Sequence, residues 1–246
     1  MLRALWNGFL DLLYPPPIDC LYCGGVKMPG DYELCSQCIS AIEFIKEPCC
    51  VKCGKPVTTG VTYCENCTHQ IFSFERAVPV AIYRGWMKDA IYALKFRGEI
   101  DLAKPLARMI AGRIAATGLD VDVILAVPMH PERLQVRGYN HAELLAEHLG
   151  EFLGIPVWPH ILKRHVDTVP QRTLKRSERK QNLLNVFEIT EWECVKNKSV
   201  LLVDDIFTTG FTAEGCSAAL IEGGARRVVV SIMAIGLDKY SPSNQG

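Results

Sequence analysis

Two adjacent carboxylates, Asp204 and Asp205, close the apolar run Val200-Leu201-Leu202-Val203 and lead into Ile206-Phe207-Thr208-Thr209-Gly210-Phe211-Thr212. A short Thr/Gly loop ahead of a helix offers hydroxyls and unpaired backbone N–H groups, which together with the helix dipole favour a phosphate. Paired carboxylates suit sugar hydroxyls, because a carboxylate can accept two of them. A phosphorylated sugar satisfies the whole set. An ordinary strand ending in an acidic turn also produces Asp-Asp; the specificity lies in the full pattern from Val200 to Thr212.

The second chemical signal is cysteine. Cys20/Cys23, Cys35/Cys38, Cys50/Cys53 and Cys64/Cys67 form four Cys-x2-Cys knuckles. Each knuckle presents two thiolates from one tight turn, and two knuckles complete a tetrahedral zinc shell. The spacing suits two sites, Cys20/23/35/38 and Cys50/53/64/67, and it also admits an interleaved pairing of first knuckle with third. A disulfide framework would require an exported chain. Residues 1–14 are rich in Leu, Trp and Phe but are broken by Asn7 and Asp11 and followed by Pro15-Pro16-Pro17. That pattern does not read as a leader; it suits a short helix packed on the body, with a membrane-surface anchor as the alternative. No stretch approaches the ~20 apolar residues of a membrane span. Cys49, Cys194 and Cys216 fall outside the knuckles and read as inert thiols.

Two cationic clusters could meet a polyanion. Pro128-Met129-His130-Pro131-Glu132-Arg133 and Arg137-Gly138-Tyr139-Asn140 follow an apolar run, and a loop there could hold a diphosphate through backbone N–H groups. Arg133 or Arg137 would be its charge partner. Residues 163–181 carry Lys163, Arg164, Arg172, Lys175, Arg176, Arg179 and Lys180 against only Asp167 and Glu178. Such a run is commonly a solvated face, but beside a sugar-phosphate site it makes better sense as a lid whose cations meet the diphosphate.

These groups need a scaffold. Strands are expected at 77–83, 121–127 and from Val200, with helices at 85–96, 102–116, 139–153 and again beyond Thr212 up to Gly223-Gly224. Uninterrupted apolar strands alternating with amphipathic helices specify an α/β fold with a mostly parallel sheet. A chain of 246 residues with 49% hydrophobic content can bury a substantial core. Composition shifts near Ile71, which divides the chain into an N-terminal helix and double ribbon over 1–71 and an α/β domain over 72–246. Formal net charge is zero, so the chain as a whole is not a polycation built to coat nucleic acid. The first seventy residues hold five Lys/Arg against seven Asp/Glu, which argues against the ribbons as phosphate-backbone binders.

The strand, acidic pair and Thr-Thr-Gly loop resemble the ribose-phosphate signature of type I phosphoribosyltransferases. Together with the knuckles, they resemble the ComF family of competence proteins. Lys95-Phe96, Arg137-Gly138-Tyr139-Asn140-His141, the spaced set Gln171, Arg179 and Asn182, and Thr208-Thr209-Gly210-Phe211-Thr212 match its elements. His141 stands where the family has Gln, and Phe211 where it has Ala. The resemblance implies a type I phosphoribosyltransferase-like domain behind two structural zinc sites. It implies binding of phosphoribosyl pyrophosphate (PRPP) with Mg²⁺, the acidic pair holding the ribose hydroxyls and Ile206–Thr212 the 5′-phosphate. It further implies a cytoplasmic role in natural competence and the handling of imported single-stranded DNA. Alternatives are a phosphoribosyltransferase salvaging a base or amine, and a zinc-ribbon scaffold recruiting a DNA-processing partner such as a helicase.

Overall fold

The computed structural model describes residues 19–27, 33–164 and 186–237. The expected helix over 1–14, and Gln171, Arg176, Arg179 and Asn182 of the basic segment, lie outside the described residues. By packing, the chain forms two compact units, Met1–Ala41 and Ile42–Gly246.

The first unit holds the first two knuckles. Cys20 opens a turn in which its N–H donates to Gly25 O at 2.7 Å and Gly24 N–H returns to Cys20 O at 2.9 Å. Cys35 then precedes a one-turn helix, α1 (Ser36–Ser40). The second unit repeats the device. Cys50 N–H donates to Lys55 O and Gly54 N–H to Cys50 O, both at 2.8 Å, and Cys64 precedes α2 (Glu65–His69). Gly24 and Gly54 occupy the same turn position with φ of 69° and 72°, a left-handed conformation that other residues adopt only with strain.

The second ribbon packs as part of the larger unit. Ile45 N–H donates to Val80 O at 2.9 Å, and Ala77 N–H to Lys52 O at 2.7 Å. The Gly54 turn lies so close that a Cβ there would stand 2.2 Å from Pro79 Cδ. Composition changes near Ile71, whereas packing changes at Ala41. Three side chains then tie the ribbon's exit to the sheet's far end. Phe72 stacks on Phe74 at 4.8 Å between centroids, and Phe74 meets Phe207 edge-on at 6.2 Å. Between them, Ser73 donates through N–H (2.6 Å) and Oγ–H (2.9 Å) to the Glu214 carboxylate.

The body is a parallel sheet of β1 (Arg76–Ile82), β2 (Val123–Ala126), β5 (Ser199–Phe207) and β6 (Arg227–Ile235) in the order β1-β6-β5-β2. Its strands are almost wholly buried, as continuous apolar runs require when both faces are covered. The expected helices form as α3 (Gly85–Tyr92), α4 (Ala103–Ala115) and α6 (His141–Leu153). After α3 the chain continues in a wide π turn, Ala93–Arg97, closed by Gly98 in the left-handed region. A small antiparallel pair, β3 (Leu162–Arg164) and β4 (Phe187–Ile189), and the short α7 (Trp192–Val195) precede β5. Helix α8 (Phe211–Glu222) follows it. Val200 and Leu202 of β5 join Cys216 and Leu220 of α8 in one core cluster. Successive strand residues face opposite ways, so Leu201 and Val203 point toward the layer of α4 and α6.

Two expectations change. Strand β5 does not stop at the acidic pair, because Asp204 pairs with Ile232, Ile206 with Ala234 and Phe207 with Ile235 of β6. The loop is therefore only Thr208–Gly210. The segment after β2 is also not a simple loop, since Pro131–Arg137 forms a helix, α5. Pro131 suits its first turn, His130 Nδ1 accepts from Glu132 N–H at 3.3 Å, and Gly138 ends it left-handed.

Candidate functional site

The carboxyl ends of β2 and β5 adjoin, and their onward connections diverge. From β5 the chain passes through α8 to β6 on one side, while the chain after β2 returns at Val157 to pair beside Ile124 on the other. Such a switch point opens a crevice above the strand ends. Here the crevice is a cavity of about 390 Å³ lined by Lys95, Met129, His130, Arg133, Arg137, Arg164, Asp204, Asp205, Thr208 and Thr212, among others. Residues from distant parts of the sequence thus meet where the acidic pair emerges.

The two carboxylates have opposite surroundings because they alternate across the strand. Asp205 points toward α6 and is 3% exposed. Its Oδ2 is ion-paired with Lys95 Nζ and lies 3.3 Å from His141 Nε2. His141 Nδ1 lies 2.8 Å from Arg137, which has only donors, so Nδ1 accepts and the ring proton stands on Nε2, facing Asp205. Burial works to raise the Asp205 carboxyl, but the His141 hydrogen bond, together with the charge and hydrogen bond of Lys95, outweighs it and holds it well below the ordinary carboxylate range. Asp204 has no such partners among the described residues. Burial, and then the neighbouring Asp205 charge, push it well above that range, while its Oδ1 accepts from Asp205 N–H at 2.9 Å.

Cations form the facing wall. Arg137 reaches Met129 Sδ at 3.9 Å and lies over the Phe96 ring, 4.9 Å from its centroid. Arg133 sits near enough to Arg164 that burial and then its charge lower the Arg164 guanidinium. Among the described residues, no carboxylate pairs with Arg133, Arg137 or Arg164. Lys95 rides on the π turn after α3, a distortion that places it over the strand end.

The remaining sequence candidates divide. Ile206, Thr208 and Thr212 line the cavity. Thr209 is exposed in the loop, and Gly210 ends it at φ 82°, where a Cβ would meet Phe207 Cζ at 2.5 Å. Phe207 is buried against Phe74, and Phe211 opens α8 with its ring half exposed. Asn140 lines the cavity with its amide already engaged. It donates to Val127 O at 3.0 Å and caps α6 by accepting from Ala142 N–H at 3.1 Å. Tyr139 OH donates to Leu94 O, tying α6's entry to the π turn. Sequence reasoning counted Arg164 among the cations of the lid and noted His141 as standing where the family has Gln, without giving it a role of its own. His141 stood four residues after Arg137 in the Arg-Gly-Tyr-Asn-His element, and that nearness was the available signal.

The cysteines form two groups, Cys20/23/35/38 and Cys50/53/64/67, so each knuckle pairs with its neighbour in sequence. Cys20 and Cys38 sulfurs are 3.7 Å apart, and Cys23–Cys35 and Cys53–Cys64 are both 3.6 Å apart. Four Zn–S bonds of tetrahedral geometry require sulfurs about 3.8 Å apart, so the residues fit zinc. Without a cation the thiols would compete for protons: hydrogen bonding between Cys53 and Cys50 pushes Cys53 up and holds Cys50 low.

Comparisons agree with this layout. Residues 9–68 match the double zinc ribbon domain family. Competence protein F of Haemophilus influenzae is 32% identical over 221 residues, covering 86% of this chain and 94% of the relative. The chain belongs to the ComF family of competence proteins. The DNA utilization protein YhgH of Escherichia coli K12 is 31% identical over 216 residues, covering 85% of this ComF-family chain and 94% of the relative. The Bacillus subtilis glutamine PRPP amidotransferase complexed with ADP and GMP overlaps 55% of this chain and 26% of its own, at 23% identity and a TM-score of 0.39, a likeness too slight to bear on function. Among the described residues, no helix is long and apolar enough to cross a membrane.

Proposed function

We propose that this protein binds PRPP in the crevice between β2 and β5 and acts in the cytoplasm on imported single-stranded DNA during competence. The observation that carries the reading is the crevice itself, with an acidic pair at one strand end facing arginines that have no carboxylate partner among the described residues. A ribose diphosphate carries hydroxyls for the first and negative charge for the second. The ribose hydroxyls meet Asp204 and Asp205, and the 5′-phosphate meets Thr208, Thr209 and the N–H groups at the start of α8. The diphosphate meets Lys95, Arg133, Arg137 and the backbone at Met129 and His130.

Mg²⁺ is a hard cation that keeps oxygen ligands and shares substrate phosphates. Asp204, which makes no ion pair among the described residues, fits as its protein ligand. His141 does not, because Arg137 takes one ring nitrogen and Asp205 faces the other. The metal would offset charge on the diphosphate, and the protein's part is to position and neutralise. The names of the relatives, competence and DNA utilization, support the cellular setting. Single-stranded DNA or a DNA-processing protein is then the partner.

Calorimetry with PRPP and Mg²⁺ tests the binding. Replacing Asp204 and Asp205 together by Ala should abolish it with the fold retained, and unchanged affinity would end the assignment. Pyrophosphate release across a panel of base, amine and DNA acceptors separates a transferase from a binding protein.

A further inference from the structure

Beside the carboxylate cavity, and sharing Lys95, Phe96, Arg133 and Arg137 with it, lies a larger cleft of about 710 Å³ that reaches Gly98, Val136 and Tyr139. Its rim is unusually apolar for an exposed surface. Phe96 and Val136, which line the cleft, are 62% and 90% exposed, and Tyr92, beside Phe96, is 49% exposed. Contiguous exposed apolar surface of this kind marks an interaction site. Tyr92 and Phe96 are four residues apart, and their rings lie 4.9 Å apart at 40°. Each ring carries a guanidinium: Arg97 Cζ is 5.5 Å from the Tyr92 centroid, and Arg137 Cζ is 4.9 Å from that of Phe96.

The result is a ladder, Arg97–Tyr92–Phe96–Arg137, running from open surface to the edge of the ribose-binding crevice. Two flat faces lie between two positive charges, and Glu132 is the one acidic residue among the described residues that line the cleft. We infer that this ladder is a stacking platform for the bases of single-stranded nucleic acid, with the arginines meeting its phosphates. The assignment rests on the proposed DNA role and adds to it the surface that touches the strand. Two features favour a strand over a single free base. The rings are open rather than enclosed, and the cleft's polar lining is mostly cationic, offering charge to a backbone with few groups to read a base edge. Sequence-tolerant stacking beside a cationic track is how single strands are held.

The probe is a labelled oligothymidylate, with an abasic strand of equal length as its control. Tyr92→Ala should weaken oligothymidylate binding by about tenfold or more, the effect of losing one stacked base. Tyr92→Trp should restore it. Val136→Glu, at a position that packs against almost nothing, should also weaken binding by placing a negative charge in the cleft. The abasic strand should bind wild type weakly and be indifferent to Tyr92→Ala. Arg97→Gln should instead flatten the salt dependence for both strands. Neither Tyr92 nor Val136 belongs to the PRPP site, so PRPP affinity should be unchanged in those variants. Equal oligothymidylate affinity in wild type and Tyr92→Ala, or no binding by wild type, overturns the inference, and intact PRPP binding would leave the sugar-phosphate site standing. A protein partner captured through Tyr92 in place of the strand would also overturn it.

Discussion

Neutralising Asp204 and Asp205 separately should move stability in opposite directions, though they are neighbours of the same type. Asp205 lies between Lys95 and His141, and breaking a buried pair costs about 3–5 kcal/mol. The Lys95 side chain is 18% exposed and can turn toward water, so Asp205→Asn should fall at the lower end, about 3 kcal/mol. For a chain of this size that is a melting temperature lower by about 6–12 °C. Asp204 and Asp205 place oxygens within 4.8 Å of each other. Two full charges at that distance repel by about 3.5 kcal/mol at an effective dielectric of 20. Lys95 cancels much of this, leaving about 1 kcal/mol to be gained by Asp204→Asn. The amide still accepts from Asp205 N–H, so the melting temperature should rise by about 2–4 °C while PRPP binding falls. The pH dependence carries the signs. The Asp204 carboxyl, raised in the fold, contributes stability that is present below its ordinary value of 3.8 and lost as pH rises through the folded value. The gain from Asp204→Asn should therefore grow from acid toward neutral pH. Asp205, held low, contributes stability that is present above 3.8 and lost as pH falls through its lower folded value. The deficit of Asp205→Asn should be full at neutral pH and shrink in acid. Thermal melts across this range decide it, and shifts of the same sign for both variants at neutral pH would refute the reasoning.

Elemental analysis should find two zinc ions per chain, and Cys53→Ser should lower that number and the melting temperature together. Asn140→Ala removes the α6 cap and the bond to Val127 O, and urea titration should show a loss of about 1–3 kcal/mol. Gly210→Ala forces a Cβ into Phe207 at φ 82°, so calorimetry should show PRPP affinity reduced more than stability.

The apolar runs from Val200 and over 121–127 were legible as strands because burial on both faces removes polar alternation, although the second strand proved shorter, Val123–Ala126. The ribbons were legible because thiol spacing is dictated by a metal's geometry. What escaped was settled by partners distant in sequence. β5 continues through two aspartates because β6, a strand not anticipated, supplies the ladder. The helix Pro131–Arg137 lay in a segment read as a phosphate loop, although its Pro start and Gly stop were visible. Asn140 looked like a ligand-binding residue, yet its amide is used for capping, a role that the sequence could show only beside a known helix start. The two fates of Asp204 and Asp205 depend on which face each enters, and nothing in the dipeptide itself records that.

The Phe72-Ser73-Phe74 link between the second ribbon and the end of β5 would set the smallest piece of this chain able to bind the proposed sugar phosphate. Phe72 is close enough to Gly210 that a Cβ on the glycine would meet its ring at 3.1 Å, and Ser73 holds Glu214 in the first turn of α8. A fragment trimmed at the compositional border near Ile71 would keep those three residues while discarding the metal-bound loops that fix where they stand. A fragment beginning at Ile42 would keep both. In a cell short of zinc, the same dependence would dismantle the phosphate loop along with the ribbon, so metal supply would govern sugar-phosphate binding without any zinc atom touching the ligand.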